Sequence, residues 1–460
     1  MDPKTFAARR RELRRNVPGG AILLLGHDEA PRNYPANPYP FRQNSHFLYY
    51  VGTDLPGMAA LIEPDGEVVL YGPPEDPDDL IWHGPHPVLE DHARAAGIER
   101  SAEFPKLAKR LAELRKSDVE IHFTPPYRGD SRLKLAELLD SDPLPIGSRA
   151  SAPLAGAITE QRSLKSAAEL AEIERALAVS AEMYEAAMRA AAPGRMEHEV
   201  LGAMQGIAAA HDMPWSFPPI CTIHGEVLHN NDYSHRMEAG QLLLIDSGVE
   251  APPGYYPSDI TRTMPVSGEF DSRQKAIYQV VLDSQLAAIE AASPRLSNRE
   301  LHLLAARVIA SGLTELGLMR GDVDEAVAAG AHALFFVHGL GHMIGGDVHD
   351  MEDLGDVVGY PEGEQRSGQF GLAALRLAKK LRPGFCLSVE PGVYFVPALI
   401  ERWKAEKKHE AFIDYAEVEK YLDFGGVRIE DDIAITDDGC RVLGPAIPKQ
   451  IGEVEGAMSK

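Results

Sequence analysis

Four carboxylates interrupt runs that otherwise read as buried β-strands. Asp246 ends "LLLID", Asp259 opens "DITRT", Glu390 follows "CLSV", and Glu430 sits in "VRIEDD" ahead of "IAIT". An acid inside a strand core is costly unless it is protonated or paired with a cation. Such a chain must either turn these positions to water or converge them on something positive. A hairpin centred between Pro252 and Pro253 would make Asp246 and Asp259, thirteen positions apart, direct cross-strand partners. Cβ atoms of such partners lie about 4.5–5.5 Å apart, and like charges there repel. A metal cation removes the repulsion; acids solvated at the loop are the alternative. Asp431 and Asp432 follow Glu430, which fits a solvated turn, yet strand alternation puts Arg428 and Glu430 on one face that could point into a cavity.

Each acidic pair is preceded by helices. "SAAELAEIERALAVSAEMYEAAMRAAAPG" and "MEHEVLGAMQGIAAAHD" have helical spacing and lead to the first pair; three helical stretches between about Ser272 and Phe336 lead to the second. This predicts two pseudo-equivalent halves facing one shared site. Residues 1–158 read differently. "AILLLG", "GEVVLYGP" and "VEIHF" are strand-like, "DHARAAGIER" and "FPKLAKRLAELRKS" helical, which predicts a smaller α/β domain ahead of a 159–460 catalytic domain.

The 460 residues carry a net charge of −23, which disfavours phosphate backbones and anionic lipid, so neither nucleic acid nor membrane is an expected partner. Cys221, Cys386 and Cys440 are three in number without CxxC spacing, which points to a reducing compartment, the cytoplasm. The run Arg9, Arg10, Arg11, Arg14, Arg15 reads as the polar face of an N-terminal helix.

"HGLGHMIGGDVHD" holds His338, His342 and His349. Two of them are four apart, but the zincin mechanism needs Glu after the first, and Gly339 stands there. Four glycines in nine residues oppose a helix, so an extended segment with close backbone contacts is expected. One histidine as ligand and two as acid or hydrogen-bond donors fits three in so short a stretch. His229, in "GEVLHNND", precedes the first acidic strand and alone fits a surface loop equally well. Four carboxylates and one imidazole form a hard, oxygen-rich donor set that suits manganese, with cobalt and zinc also admissible. Their charge balances two divalent ions, which would activate water and polarise a carbonyl.

"LLLIDSGVE…SDITRT", "HGLGHMIGGDVHD", "LSVEPGVYF" and "GGVRIEDDIAIT" together resemble the prolidase and aminopeptidase P family, and "FRQNSHFLYYVGTDLPG" resembles its N-terminal domain. The resemblance implies an α+β chain with a pita-bread catalytic domain of pseudo-twofold halves. It implies two metals held by Asp246, Asp259, His342, Glu390 and Glu430, with Asp259 and Glu430 bridging and Glu390 shuttling protons. His229, His338 and His349 match the family's substrate and transition-state histidines, and Arg428 its arginine beside the last ligand. Trp82, in "LIWHG", resembles a tryptophan that in relatives reaches toward a partner subunit's active site, which implies a homodimer or larger homo-oligomer.

Within the family the substrate is either an Xaa-Pro dipeptide or a longer peptide beginning Xaa-Pro. A dipeptidase must grip its substrate's free carboxylate, and Arg376, fourteen positions before Glu390, matches the prolidase arginine that does so. The long segment between Glu390 and Glu430 is also prolidase-like; "MEDLGD" after Asp350 is not. The reading therefore leans to the dipeptidase, with the aminopeptidase as alternative. A metal-free pita-bread protein, a binding module or a creatinase-type enzyme, would lack several of the five ligand positions. An acidic scaffold carrying the motifs by chance is the third expectation.

Overall fold

The computed structural model describes residues 1–74 and 76–459. They form two units. The first comprises Met1–Arg162 and Met351–Val358; the second comprises Ser163–Asp350 and the chain from Gly359 onward. The expected 158/159 division falls within the helix Ala152–Ser163.

The first unit is built on a five-stranded sheet of β1 (Ala21–Leu25), β2 (Ala59–Ile62), β3 (Val68–Gly72), β4 (Arg100–Glu103) and β5 (Ile121–His122), in the order β4-β3-β2-β1-β5. Pairs β1/β2 and β2/β3 are antiparallel, whereas β3/β4 and β1/β5 are parallel. Leu107, Leu111 and Leu114, spaced as one helical face, bring the helix Pro105–Lys116 onto Leu23, Leu61 and Val69 of the sheet. The N-terminal helix Pro3–Asn16 forms, but its arginines are not a uniform polar face. Arg10 is buried and donates to the carbonyls of Tyr50, Ala96 and Gly97; Arg9 is buried and donates to Tyr49. Carbonyls brought in from distant segments satisfy these guanidinium groups, and helical spacing alone does not reveal them.

The second unit follows one plan twice. Helices Ala167–Ala190 and Glu197–Ala210 precede β6 (Ile220–Thr222), β7 (Leu242–Ser247), β8 (Glu250–Ala251), β9 (Tyr256–Pro257) and β10 (Ile260–Pro265). Helices Ser272–Ala291, Asn298–Glu315 and Val323–Ala329 precede β11 (Cys386–Val389), β12 (Gly392–Tyr394), β13 (Gly426–Arg428), β14 (Asp431–Ile435) and β15 (Cys440–Val442). The first half pairs as β10-β7-β6, the second as β11-β14-β15 with a β12-β13 ribbon. Ser166, Asp271 and Ser297 cap their helices reciprocally with Glu169, Gln274 and Glu300, which fixes where each begins. The halves meet through main chain and side chain: Glu430 N donates to Thr261 O at 3.1 Å, and Thr263 Oγ1 to Arg428 O at 3.0 Å. Among the described residues no helix is long and apolar enough to cross a membrane.

His302 and His332 lie wholly buried in this unit with centroids 6.3 Å apart, and none of their ring nitrogens has a hydrogen-bond partner. Burial pushes His302 down to about 3 and His332 to about 4, so both are neutral in the folded chain. The unfolded chain binds their protons near 6.5. Their contribution to stability is therefore complete above about pH 6.5 and is lost as pH falls toward 4, at up to about 1.4 kcal/mol per pH unit for each histidine. We expect His302→Leu to flatten the fall in unfolding free energy between pH 7 and pH 5. Parallel urea curves for variant and parent across that range would refute the assignment.

Candidate functional site

β7 and β10 place the first two acids. Asp246 pairs with Thr261, and Ala251 with Tyr256, so the hairpin is centred between Pro253 and Gly254. Asp246 and Asp259 are therefore not direct partners, as the expected centre between Pro252 and Pro253 would make them. The longer turn moves Asp259 to a diagonal position two residues from Thr261, on the same face as Asp246. Gly248 permits this crossing: a Cβ there would lie 1.8 Å from Ser258 O. The electrostatic conflict survives: burial raises the pKa of Asp259, and Asp246 adds to the shift across the diagonal.

The second half supplies Glu390 just after β11 and Glu430 between β13 and β14. The glycine-rich segment is extended, as expected. It runs beside β11, with Ser388 N donating to His342 O, Glu390 N to Leu340 O and Ile344 N to Cys386 O. Its close approach needs Gly341, whose Cβ would meet Ser388 O at 2.0 Å. Asp350 closes the segment. It forms a buried pair with Lys165 at 3.0 Å and accepts from Gly346 N.

These elements converge on a cavity of about 540 Å³ whose lining includes Asp246, Asp259, His342, Glu390 and Glu430. His342 Nε2 lies 3.3 Å from Asp259 Oδ2 and 3.5 Å from Glu390 Oε1. Asp259, His342 and Glu430 each present a ligand atom, all within 4.8 Å of one another. Asp246 Oδ1 is buried with no hydrogen-bond partner. Burial, reinforced by neighbouring carboxylates, raises Asp259 and Glu430 well above the ordinary range. Burial also raises Glu390 to about 7, opposed by His342 and Arg428. Oxygen-rich donors that cannot all ionise without a cation are the donor set of a divalent metal centre. Asp246, Asp259, His342, Glu390 and Glu430 fit that role together.

The remaining candidates divide. His229, His338, His349, Arg376 and Arg428 all line the same cavity. His349 stacks on His342 with ring centroids 3.8 Å apart. Trp82 is not in the lining; it belongs to the first unit, on the short helix Asp79–Trp82, and is 77% exposed beside exposed Leu80 and Ile81.

Arg428 is the fixed cation of the site. Its Nη2 donates to Asp246 Oδ2 at 2.6 Å, Nη1 to the Tyr394 hydroxyl at 2.8 Å and Nε to Thr261 Oγ1 at 3.2 Å. Gly339 O, 2.8 Å from His338 Nδ1, can only accept, so a neutral His338 ring carries its proton on Nδ1 and accepts the Tyr394 hydroxyl hydrogen bond at Nε2, 2.7 Å away. Burial, with Arg428 nearby, lowers His338 to about 3. His338 is thus held as a neutral imidazole between the Tyr394 hydroxyl and Gly339 O.

Tyr394 and Asp432 escape the sequence reading. Asp432 Oδ2 accepts from Asp259 N at 3.1 Å, tying the halves together. Strand alternation continued from Arg428 and Glu430 leads to Asp432; Tyr394 has no comparable mark, because its partners come from other segments.

Residues 171–437 match metallopeptidase family M24, and residues 6–122 match the aminopeptidase P N-terminal domain. The chain is 32% identical to the Xaa-Pro aminopeptidase of Escherichia coli K12, over 98% of this chain and 97% of that protein. It is 30% identical to the Xaa-Pro dipeptidase of Homo sapiens, over 96% and 89%. A variant of Escherichia coli aminopeptidase P, solved in complex with substrate, superposes with a TM-score of 0.81 at 28% identity, covering 100% of this chain and 98% of that one. The α+β architecture with a pita-bread catalytic domain is the one expected.

Removing the Tyr394 hydroxyl leaves Arg428 Nη1 and His338 Nε2 short of a buried partner. We expect Tyr394→Phe to destabilise the chain by about 1–3 kcal/mol in denaturant unfolding. A change below about 0.5 kcal/mol would mean that the hydroxyl does not bridge the two groups.

Proposed function

The chain belongs to metallopeptidase family M24 as an Xaa-Pro peptidase, and from that premise we propose that it hydrolyses Xaa-Pro dipeptides at a centre of two divalent metal ions. The observation that carries the metal centre is the convergence of Asp246, Asp259, His342, Glu390 and Glu430 in one cavity. Bound there, divalent ions would supply Lewis-acid polarisation of the scissile carbonyl and a more acidic attacking water. We assign manganese, on the hardness of a set with four carboxylates and one imidazole.

In this reading Glu390 takes the proton of the attacking water. The water oxygen bonds to the carbonyl carbon, the C–N bond to proline breaks, and Glu390 returns the proton to the prolyl nitrogen. Ser388 Oγ and His342 lie within 3.5 Å of Glu390 Oε1 and orient it. Arg428 holds Asp246 in place through the bond described above. His229 and His349 face the substrate.

Length selectivity is assigned to Arg376, a residue of the cavity lining; a guanidinium pairs with a carboxylate bidentately, and a free prolyl carboxylate is the group it would recognise. The aminopeptidase reading is the second one. It is favoured by the match to the aminopeptidase P N-terminal domain and by the aminopeptidases among the similar proteins. The expected homo-oligomer, with the exposed Trp82 helix at its interface, and the cytoplasmic location belong to the same proposal.

Two measurements test it. Chelation should abolish peptide hydrolysis and manganese should restore it; full activity in protein shown to be metal-free would remove the metal centre. With Ala-Pro and Ala-Pro-Ala as substrates, Arg376→Ala should raise KM for the dipeptide about 10- to 100-fold, the worth of a charge-assisted contact, and spare the tripeptide. A parent enzyme that cleaves only the tripeptide sinks the dipeptidase assignment in favour of the aminopeptidase.

A further inference from the structure

We infer that Glu197 is a positioning residue for His229, closing the neck of the loop that carries His229 into the cavity. The inference rests on His229 facing substrate, as proposed above. Glu197 is the first residue of the helix Glu197–Ala210, and its side chain is fully buried. One oxygen, Oε1, accepts from Ile223 N at 2.8 Å. The other, Oε2, accepts from His235 N at 3.2 Å and faces His235 Nδ1 at 2.9 Å. A single carboxylate thus grips both ends of the segment 223–235. Its main chain joins in, Glu197 N donating to His235 O at 3.1 Å.

Between those two ends the loop has little burial of its own. Val227, His229, Asn231 and Asp232 are exposed. Leu228, His229 and Asn231 nevertheless line the cavity. Tyr233 OH and Asn231 Nδ2 tie the loop to Pro219 O, and Asn230 Nδ2 ties it to Thr222 Oγ1. These contacts hold its course, whereas the carboxylate holds the separation of its ends. An exposed loop closed at its base keeps a side chain in place with less entropy to lose than one closed by its tip.

Glu197→Gln keeps the size of the side chain. Its amide NH2 must face either Ile223 N–H or the two donors of His235, so one grip is lost. The test is a double-mutant cycle on the full-length, metal-loaded chain, with kcat/KM measured for whichever of Ala-Pro and Ala-Pro-Ala the parent cleaves, and metal content measured on each sample. Glu197→Gln should lower kcat/KM about 10- to 100-fold at unchanged metal content. Combined with His229→Ala it should add nothing to the loss that His229→Ala causes alone. Losses that multiply in the double variant, or a metal content that falls with activity, overturn the inference while leaving His229 as a substrate residue. If His229→Ala leaves kcat/KM unchanged, the reading of His229 fails and the inference with it. Should Glu197→Gln fail to fold, His235→Ala, which removes the imidazole with its Nδ1 donor and keeps the backbone N–H on Glu197 Oε2, must show the same non-additivity with His229→Ala; multiplying losses there overturn the inference equally.

Discussion

Mutual repulsion among buried carboxylates governs the second unit. Asp259, Glu430 and Asp432 are almost fully shielded from water, and Asp246 and Glu390 stand beside them. Arg428 offsets one negative charge through Asp246. The strand β14 shows how selective this arrangement is. Asp431, on one face, is bound by Arg262 at 2.7 Å and by Lys449, and despite burial these cations hold its pKa below the ordinary value. Asp432, on the other face, is raised well above it by burial, with Asp431 and Glu390 adding to the shift. Two adjacent acids in one strand are thus divided between cation-neutralised pairing and the carboxylate cluster of the cavity.

Such a cluster needs a frame that does not relax away from the repulsion. The frame here is main chain: the segment 340–344 hydrogen-bonded along β11, and Glu430 N bonded to Thr261 O. Gly341 and Gly248 allow the approach because no side chain stands between backbones. Lys165 and Asp350 anchor the far end of the glycine-rich segment as a buried ion pair. Burying both partners gains little net stability over an apolar pair, but removing one leaves a naked charge. The pair therefore acts as a lock on where His349 and His342 sit.

The acids were legible because a carboxylate in an apolar strand is anomalous at the level of single residues, and a period of two shows which acids share a face. The extended glycine-rich segment followed from helix propensity alone. The hairpin register was not legible. "APPGYYP" contains no turn of fixed length, and a shift of the centre by one residue moves Asp259 from opposite Asp246 to diagonal. Arg9 and Arg10 read as solvated because their acceptors, the carbonyls of Tyr49, Tyr50, Ala96 and Gly97, are far away in sequence. Tyr394 and Glu197 were missed for the same reason: each acts by joining segments whose proximity only the fold creates.

Overall sequence identity does not divide the two substrate lengths, although the aminopeptidase P N-terminal domain match favours the longer substrate. The Escherichia coli aminopeptidase and the human dipeptidase match this chain to nearly the same degree, 32% and 30%. The fold brings five candidate ligands to one cavity, an arrangement that bears on bond breakage and not on the far end of the substrate. What separates a dipeptide from a longer peptide is one carboxylate, present or replaced by an amide, at a fixed distance from the scissile carbonyl. A cavity that reads this difference needs a cation beyond the metal-side residues. Arg428 bonds to Asp246, Tyr394 and Thr261. Arg376, the other arginine in the lining, stands next to Leu375, whose carbonyl accepts from Tyr360 OH and from Arg366. The proposed dipeptidase reading therefore depends on Arg376 and not on the candidate metal ligands.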